Sequence, residues 1–168
     1  AARDNITNIL IPGYDGSNED TLAIHSTEAV ARYRADVGEG SSLGAIATLR
    51  SGGDYHNNVA GVDGDIRLGK SDRLRFHFVG SDTRYPDAFA RSYDQKTGSF
   101  GGTAARVRYF RETRDWFWEA WGEALSEGFR ADSGFITQVG KRSVRGGVYR
   151  AIHSDGKHRW FTQLGIGA

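Results

Sequence analysis

Along most of the chain, apolar and polar residues alternate with a period of two. That is the spacing of a strand with one dry and one wet face, and helical periodicity is nearly absent. Eight segments carry the alternation, near residues 26–37, 42–50, 57–68, 72–82, 102–110, 115–126, 140–151 and 158–168. Brief turns at 38–41, 69–71, 111–114 and 154–156 predict hairpins. Longer polar stretches at 51–57, 81–101 and 127–140 link one hairpin to the next. Residues 1–25 read as one more long loop, or as the cut end of a larger piece. The expected fold is all-β: an antiparallel up-and-down meander of about eight strands occupying residues 26–168.

The brief turns allow the register to be worked out, because correct pairing keeps apolar residues on one side of the sheet. A three-residue loop at 69–71 sets Leu68 opposite Asp72, Asp65 opposite Arg75 and Asp63 opposite His77. A four-residue loop at 111–114 sets Tyr109 opposite Trp116, Val107 opposite Trp118 and Arg106 opposite Glu119. Both registers place opposite charges across from each other on the polar face.

The apolar face carries Ala, Val, Leu, Ile, Gly and aromatic residues with hardly a charge, and its aromatics gather beside the brief turns. In a transmembrane β-barrel the apolar face meets lipid, aromatic girdles mark the interfaces, and short turns and long loops lie at opposite ends. On that reading Phe76, Tyr109, Trp116, Trp118 and Trp160 are girdle residues. The opposite face, with Arg32, Arg34, Arg50, Asp63, Asp65, Arg67, Arg73, Arg75, His77, Arg106, Arg108, Glu119 and Glu123, lines a lumen. So many ions in a dry core would each cost several kcal/mol unless paired, so they call for water or dense pairing. The expectation is a transmembrane β-barrel, or a segment of a larger one, in the bacterial outer membrane. Its partners would be lipid and the missing strands of the same barrel.

Composition narrows the picture. The 168 residues include no cysteine, which excludes disulfides, thiolate nucleophiles and thiolate metal sites. A net charge of +1 argues against nucleic acid as a partner. Mean hydropathy of −0.54 and the lack of a long apolar run exclude a membrane helix, but a barrel strand averages two opposite faces and escapes that test. Glycine, at 23 residues, and the aromatics, at 12%, suit strands joined by turns.

Three stretches carry a resemblance: Asp36-Val37-Gly38-Glu39-Gly40-Ser41-Ser42-Leu43-Gly44-Ala45-Ile46-Ala47-Thr48, Asn58-Val59-Ala60-Gly61-Val62-Asp63, and Gly128-Phe129-Arg130-Ala131-Asp132-Ser133-Gly134-Phe135. They resemble the outer-membrane β-barrel domain of unknown function that follows family-9-like carbohydrate-binding modules in Gram-negative bacteria. The resemblance implies a barrel larger than this chain, and it carries over no catalytic residue.

Candidate chemistry is sparse. The five histidines form no metal-spaced pair, although His153 and His158 flank one turn, and His77 is expected to pair with Asp63. Asp63-Gly64-Asp65 lacks the other ligands of a calcium loop. Glu119 and Glu123, four positions apart on one strand, would stand about 13 Å apart at about 3.3 Å per residue, too far for a glycosidase pair. No nucleophile elbow, phosphate loop or dinucleotide fingerprint occurs, so neither enzymatic activity nor a cofactor nor a metal is expected. If sugars are bound, Tyr85, Phe89, Tyr93 and Phe100 in the long loop are the candidates. The expected function is passage or docking of saccharides or other polar ligands. Two alternatives are a complete eight-stranded anchor or adhesin barrel and a soluble sugar-binding β-sandwich.

Overall fold

The computed structural model describes residues 2–4, 7–154 and 163–168. Its main element is an antiparallel sheet in which β4 (Ser26–Asp36), β5 (Ser42–Gly52), β6 (Tyr55–Arg67), β7 (Asp72–Arg84), β8 (Ser99–Glu112), β9 (Trp116–Leu125), β10 (Lys141–His153) and β11 (Gln163–Gly167) follow one another in chain order. A short strand, β1 (Ala2–Asp4), pairs with β4 and makes the sheet nine-stranded. Among the described residues β1 and β11 do not pair with each other, so the sheet is open. The eighth segment is described only from Gln163 onward, and Trp160 and His158 lie outside the described residues.

The expected turn at 69–71 is present: Leu68 N–H donates to the Asp72 carbonyl at 3.0 Å, Asp65 faces Arg75 and Asp63 faces His77. The next hairpin differs from expectation. Strand β8 runs on to Glu112, and Thr113 and Trp116 close the turn, with the Thr113 hydroxyl taking the Trp116 N–H at 3.0 Å. This side-chain tie tightens the turn and shifts the register by four positions, so Arg106 faces Glu123 and Tyr109 faces Ala120. An even shift preserves which face each residue occupies, because side chains alternate with period two.

Two stretches expected as loops are ordered. Gly52 pairs with Tyr55 across a two-residue turn in which Gly53 takes a φ of 57°, a value most residues resist. The polar residues that read as a loop there are held in the strand: Asn57 donates to the Thr83 hydroxyl at 2.8 Å, and His56 bonds Asp82 at 2.9 Å. Residues 1–25, expected as a loop, contain β1 and the hairpin β2 (Thr7–Pro12) with β3 (Ser17–Leu22). Short alternation hid that hairpin, which is held by tertiary packing of Ile9, Ile11 and Leu22.

These three side chains join Tyr55, Tyr85, Phe89, Ala90 and Phe100 in the hydrophobic core. The helix α1 (Asp87–Ser92), placed between β7 and β8, contributes Phe89 and Ala90. Residues 126–140 complete this cap, bridged to the hairpin where Val139 N–H donates to the Gly13 carbonyl at 3.0 Å. Tyr55 and Phe100 share strand parity with Asn57 and Arg106, so the cap packs on the polar side of the sheet. No second sheet covers the apolar side among the described residues.

Candidate functional site

The two faces differ in what covers them. On the apolar face Leu49, Val62, Phe78, Val107, Trp118 and Val144 are exposed, from 37% for Trp118 to 86% for Val144. Of the four girdle residues described, all share this face: Phe76 packs beside Phe78 (ring centroids 5.5 Å), Tyr109 against Trp118 (5.0 Å), and Trp116 lies under the Arg150 guanidinium (5.1 Å). Phe76 covers Gly64 so closely that a Cβ there would collide with the ring. The fifth, Trp160, is outside the described residues. Tyr109 also donates its hydroxyl to Asp72 at 2.5 Å, next to the hairpin turn.

The polar face is a ladder of cross-strand ion pairs. Arg32 reaches past β5 to Asp63, with Nη2 at 2.9 Å from both carboxylate oxygens. It can do so because Gly44 stands between: a Cβ there would lie 2.8 Å from Asp63 Oδ1. The expected His77–Asp63 bond therefore does not form; the two residues face each other, but the Asp63 carboxylate belongs to Arg32. Arg73 Nε and Arg75 Nε grip the two oxygens of Asp65 at 2.5 and 3.0 Å. Arg106 binds Glu123 through Nε at 2.8 Å, and Arg108 binds Glu119 through Nε at 2.7 Å. The expected Arg106–Glu119 pair is replaced by these two because of the register shift. Arg34 donates to the Ser42 hydroxyl at 2.7 Å, and Arg67 Nε donates to the Gly69 carbonyl at 3.2 Å.

Arg50 departs from the rest of the lumen set. It is buried under the cap, with Nη1 3.4 Å from the Asp132 carbonyl. Around it lies the polar hub of the cap, which no sequence pattern revealed. The Asp132 carboxylate accepts the hydroxyls of Tyr55 at 2.9 Å and Tyr85 at 3.0 Å, while its backbone N–H donates to Asn57 Oδ1 at 2.9 Å. Burial pushes the Asp132 carboxyl above its ordinary value, opposed by the two tyrosine hydroxyls and the charges of Arg130 and Arg50. Arg130 donates to Gln95 at 2.6 Å and to the carbonyls of Glu127 and Phe129 at 2.8 Å each, with its guanidinium over the Phe100 ring. Gly102 and Gly128 let this loop lie backbone to backbone on β8, since a Cβ on either would collide with the backbone of the other segment.

The aromatic residues expected as a sugar platform are used otherwise. Tyr85, Phe89 and Phe100 pack against one another in the cap core, where Tyr85 has no exposed surface. Tyr93 packs on Phe89 and donates its hydroxyl to Asp20 at 2.5 Å, leaving it half-buried. Their stacking faces are taken by the hairpin and the helix.

A second aromatic set, not among the residues expected to line a lumen, stands on the polar face. Phe110 lies under both Arg75 and Arg108, at 5.3 and 5.1 Å, and Arg145 lies over Trp121 at 5.2 Å. The available signal was parity: Phe110 and Trp121 occupy polar-face positions in their strands. Among the described residues no group of three His, Asp or Glu could hold a metal ion, and no helix is long and apolar enough to cross a membrane. Compared with known protein families, with curated proteins and with solved structures, the chain matches none.

Proposed function

We propose that this chain is part of the wall of an outer-membrane β-barrel whose polar face lines a water-filled lumen used for passage or docking of polar ligands. The observation that carries this reading is the placement of the cap. In water, a chain with spare elements gains most by burying its apolar face, at roughly 25 cal/mol per Å². Here the hairpin β2–β3, helix α1 and residues 126–140 all pack on the polar side, and the apolar side is left bare. Lipid is the environment in which a bare apolar face costs nothing.

Three further features support the reading. Strands β4 to β10 are 10 to 14 residues long, enough for the roughly 9–11 residues of a tilted membrane strand. The ion pairs of the polar face are part-exposed, as in Arg32 at 46% and Arg106 at 63%, which suits water rather than a dry core. The free edges of β1 and β11 would be completed by further strands of the same barrel, since an open edge invites pairing. The cap then lies inside the lumen and narrows it at the end carrying the long loops.

These 168 residues hold no cysteine, so a thiol introduced among them has no native competitor within this segment. Single cysteines at Val62, Val107 and Trp118, and at Arg75, Arg106 and Glu119, are labelled with an environment-sensitive dye in the full-length protein folded into vesicles. Quenching by brominated lipid is expected for the first three sites and quenching by aqueous iodide for the second three. The reverse pattern, or iodide quenching at all six, would overturn the reading.

A further inference from the structure

The polar face holds one cluster whose charges do not balance. Arg67 stands directly opposite Arg73, and Arg75 directly opposite Arg108, across β6, β7 and β8. Like charges facing each other in a sheet are destabilising. Glu119 offsets Arg108, but Asp65 alone serves both Arg73 and Arg75, and Arg67 is bonded to a backbone carbonyl.

The way Asp65 is held matters as much as the count. Both arginines grip it through Nε, so their terminal Nη groups have no hydrogen-bond acceptor among the described residues. Side chains of Arg73 and Arg75 are 40% and 44% exposed. Phe110, lying between Arg75 and Arg108, fixes their planes by cation–π contact. A cavity of about 350 Å³, the size of a small-ligand site, is lined by Arg67, Lys70, Arg73, Phe110 and Glu112; Arg75 is outside this lining and is tied to it through Asp65, which it shares with Arg73, and through Phe110. Asp72 also lines it, but its carboxylate is taken by Tyr109 and Arg111.

We propose that Arg67, Arg73 and Arg75 form a binding site for a soluble multivalent oxyanion. The ligand would carry two or more carboxylate, sulfate or phosphate groups. Guanidinium forks match such groups in a planar, two-point geometry that a lysine does not offer. Neighbouring strands lie about 4.8 Å apart and alternate residues of one strand about 6.6 Å apart, so Arg67 on β6 with Arg73 and Arg75 on β7 suits anionic groups roughly 5–7 Å apart. The inference deepens the reading above by naming the ligand class, and it rests on that reading only for the polar face being filled with water.

The test titrates citrate into the full-length protein folded in zwitterionic detergent, by calorimetry at constant ionic strength. A parallel arm uses phosphatidylglycerol in mixed micelles, to separate a soluble anion from a lipid headgroup. Arg73→Gln and Arg75→Gln are each expected to weaken citrate binding by about tenfold or more. Asp65→Asn should tighten it, and Arg32→Gln, whose charge is matched by Asp63, should leave it unchanged. Asp65→Asn keeps the test alive if an arginine variant fails to fold. Citrate binding no stronger than that of chloride, insensitivity to the arginine variants, equal loss in Arg32→Gln, or phosphatidylglycerol binding lost with the same variants would each overturn the site. Failure here with lipid quenching intact at Val62, Val107 and Trp118 sinks the anion site alone. Citrate binding without lipid quenching sinks the membrane reading alone.

Discussion

One carboxylate ties the loop at 126–140 to the sheet beneath the cap core, and Asp132→Ala tests that tie. Asp132 accepts the hydroxyls of Tyr55 at 2.9 Å and Tyr85 at 3.0 Å, and both tyrosines are buried, at 1% and 0% exposure. Alanine leaves two buried donors without their acceptor, each costing about 1–3 kcal/mol. Removing a buried carboxyl that burial already disfavours offsets part of this, and water entering the vacated space offsets more. A net loss of about 2–3 kcal/mol in the free energy of cap opening is expected, which is roughly a 30- to 150-fold rise in the open population. Hydrogen exchange followed residue by residue reads it out. The Arg130 and Asp132 amides, which donate to Ser81 Oγ at 3.1 Å and Asn57 Oδ1 at 2.9 Å, should exchange correspondingly faster. Amides in the middle of β8 and β9, such as Val107, should not change, because the ladder there does not depend on the cap. Unchanged exchange at Arg130 and Asp132, or equal acceleration across the whole sheet, would refute the assignment of Asp132 as the tie.

Two more predictions follow from the same geometry. Because burial holds the Asp132 carboxyl above its ordinary value of 3.8, the folded cap binds more protons there than the unfolded chain. Stability is then fully present below about 4 and falls as pH rises through the raised value, with Tyr55, Tyr85, Arg50 and Arg130 the groups that limit the shift. Asp20 works the other way: the Tyr93 hydroxyl and the Thr21 backbone hold it low, so its contribution is present above about 4 and is lost as pH falls below. Cap protection measured by hydrogen exchange, corrected for intrinsic rates, should therefore decline above about 4, and Asp132→Asn should remove that decline only. Gly44→Ala would push a methyl group onto Asp63 and break its pair with Arg32, which is 46% exposed. The cost in urea unfolding should not exceed about 1 kcal/mol if the polar face is wet; a loss of several kcal/mol would show that it is dry.

Local pattern and tertiary context divided the structure between them. The period-two alternation located the seven long strands β4 to β10 and, among the described residues, the part of the eighth segment from Gln163 onward, because a residue's side of a pleated sheet depends only on its parity. It also placed Arg32, Arg73, Arg75, Arg106, Arg108, Asp63, Asp65, Glu119 and Glu123 on one face, and that assignment survives a register error of four because four is even. Which arginine meets which carboxylate depended on the Thr113 turn and on the gap at Gly44, two contacts that parity does not encode. The hairpin in residues 7–22 and the folded loop at 126–140 were illegible for a related reason. Each is held by partners far along the chain, as Tyr55 and Tyr85 hold Asp132, and not by a repeat of its own.

The sequence by itself determined that this chain makes a meander with one apolar and one charged face, since both follow from the order of neighbouring residues. Only the tertiary structure decided that the cap folds onto the charged face, that Tyr85 and Phe100 are packing residues and that Asp65 is shared by two arginines. Those outcomes depend on contacts between residues tens of positions apart, where the free energy of packing, not periodicity, makes the choice.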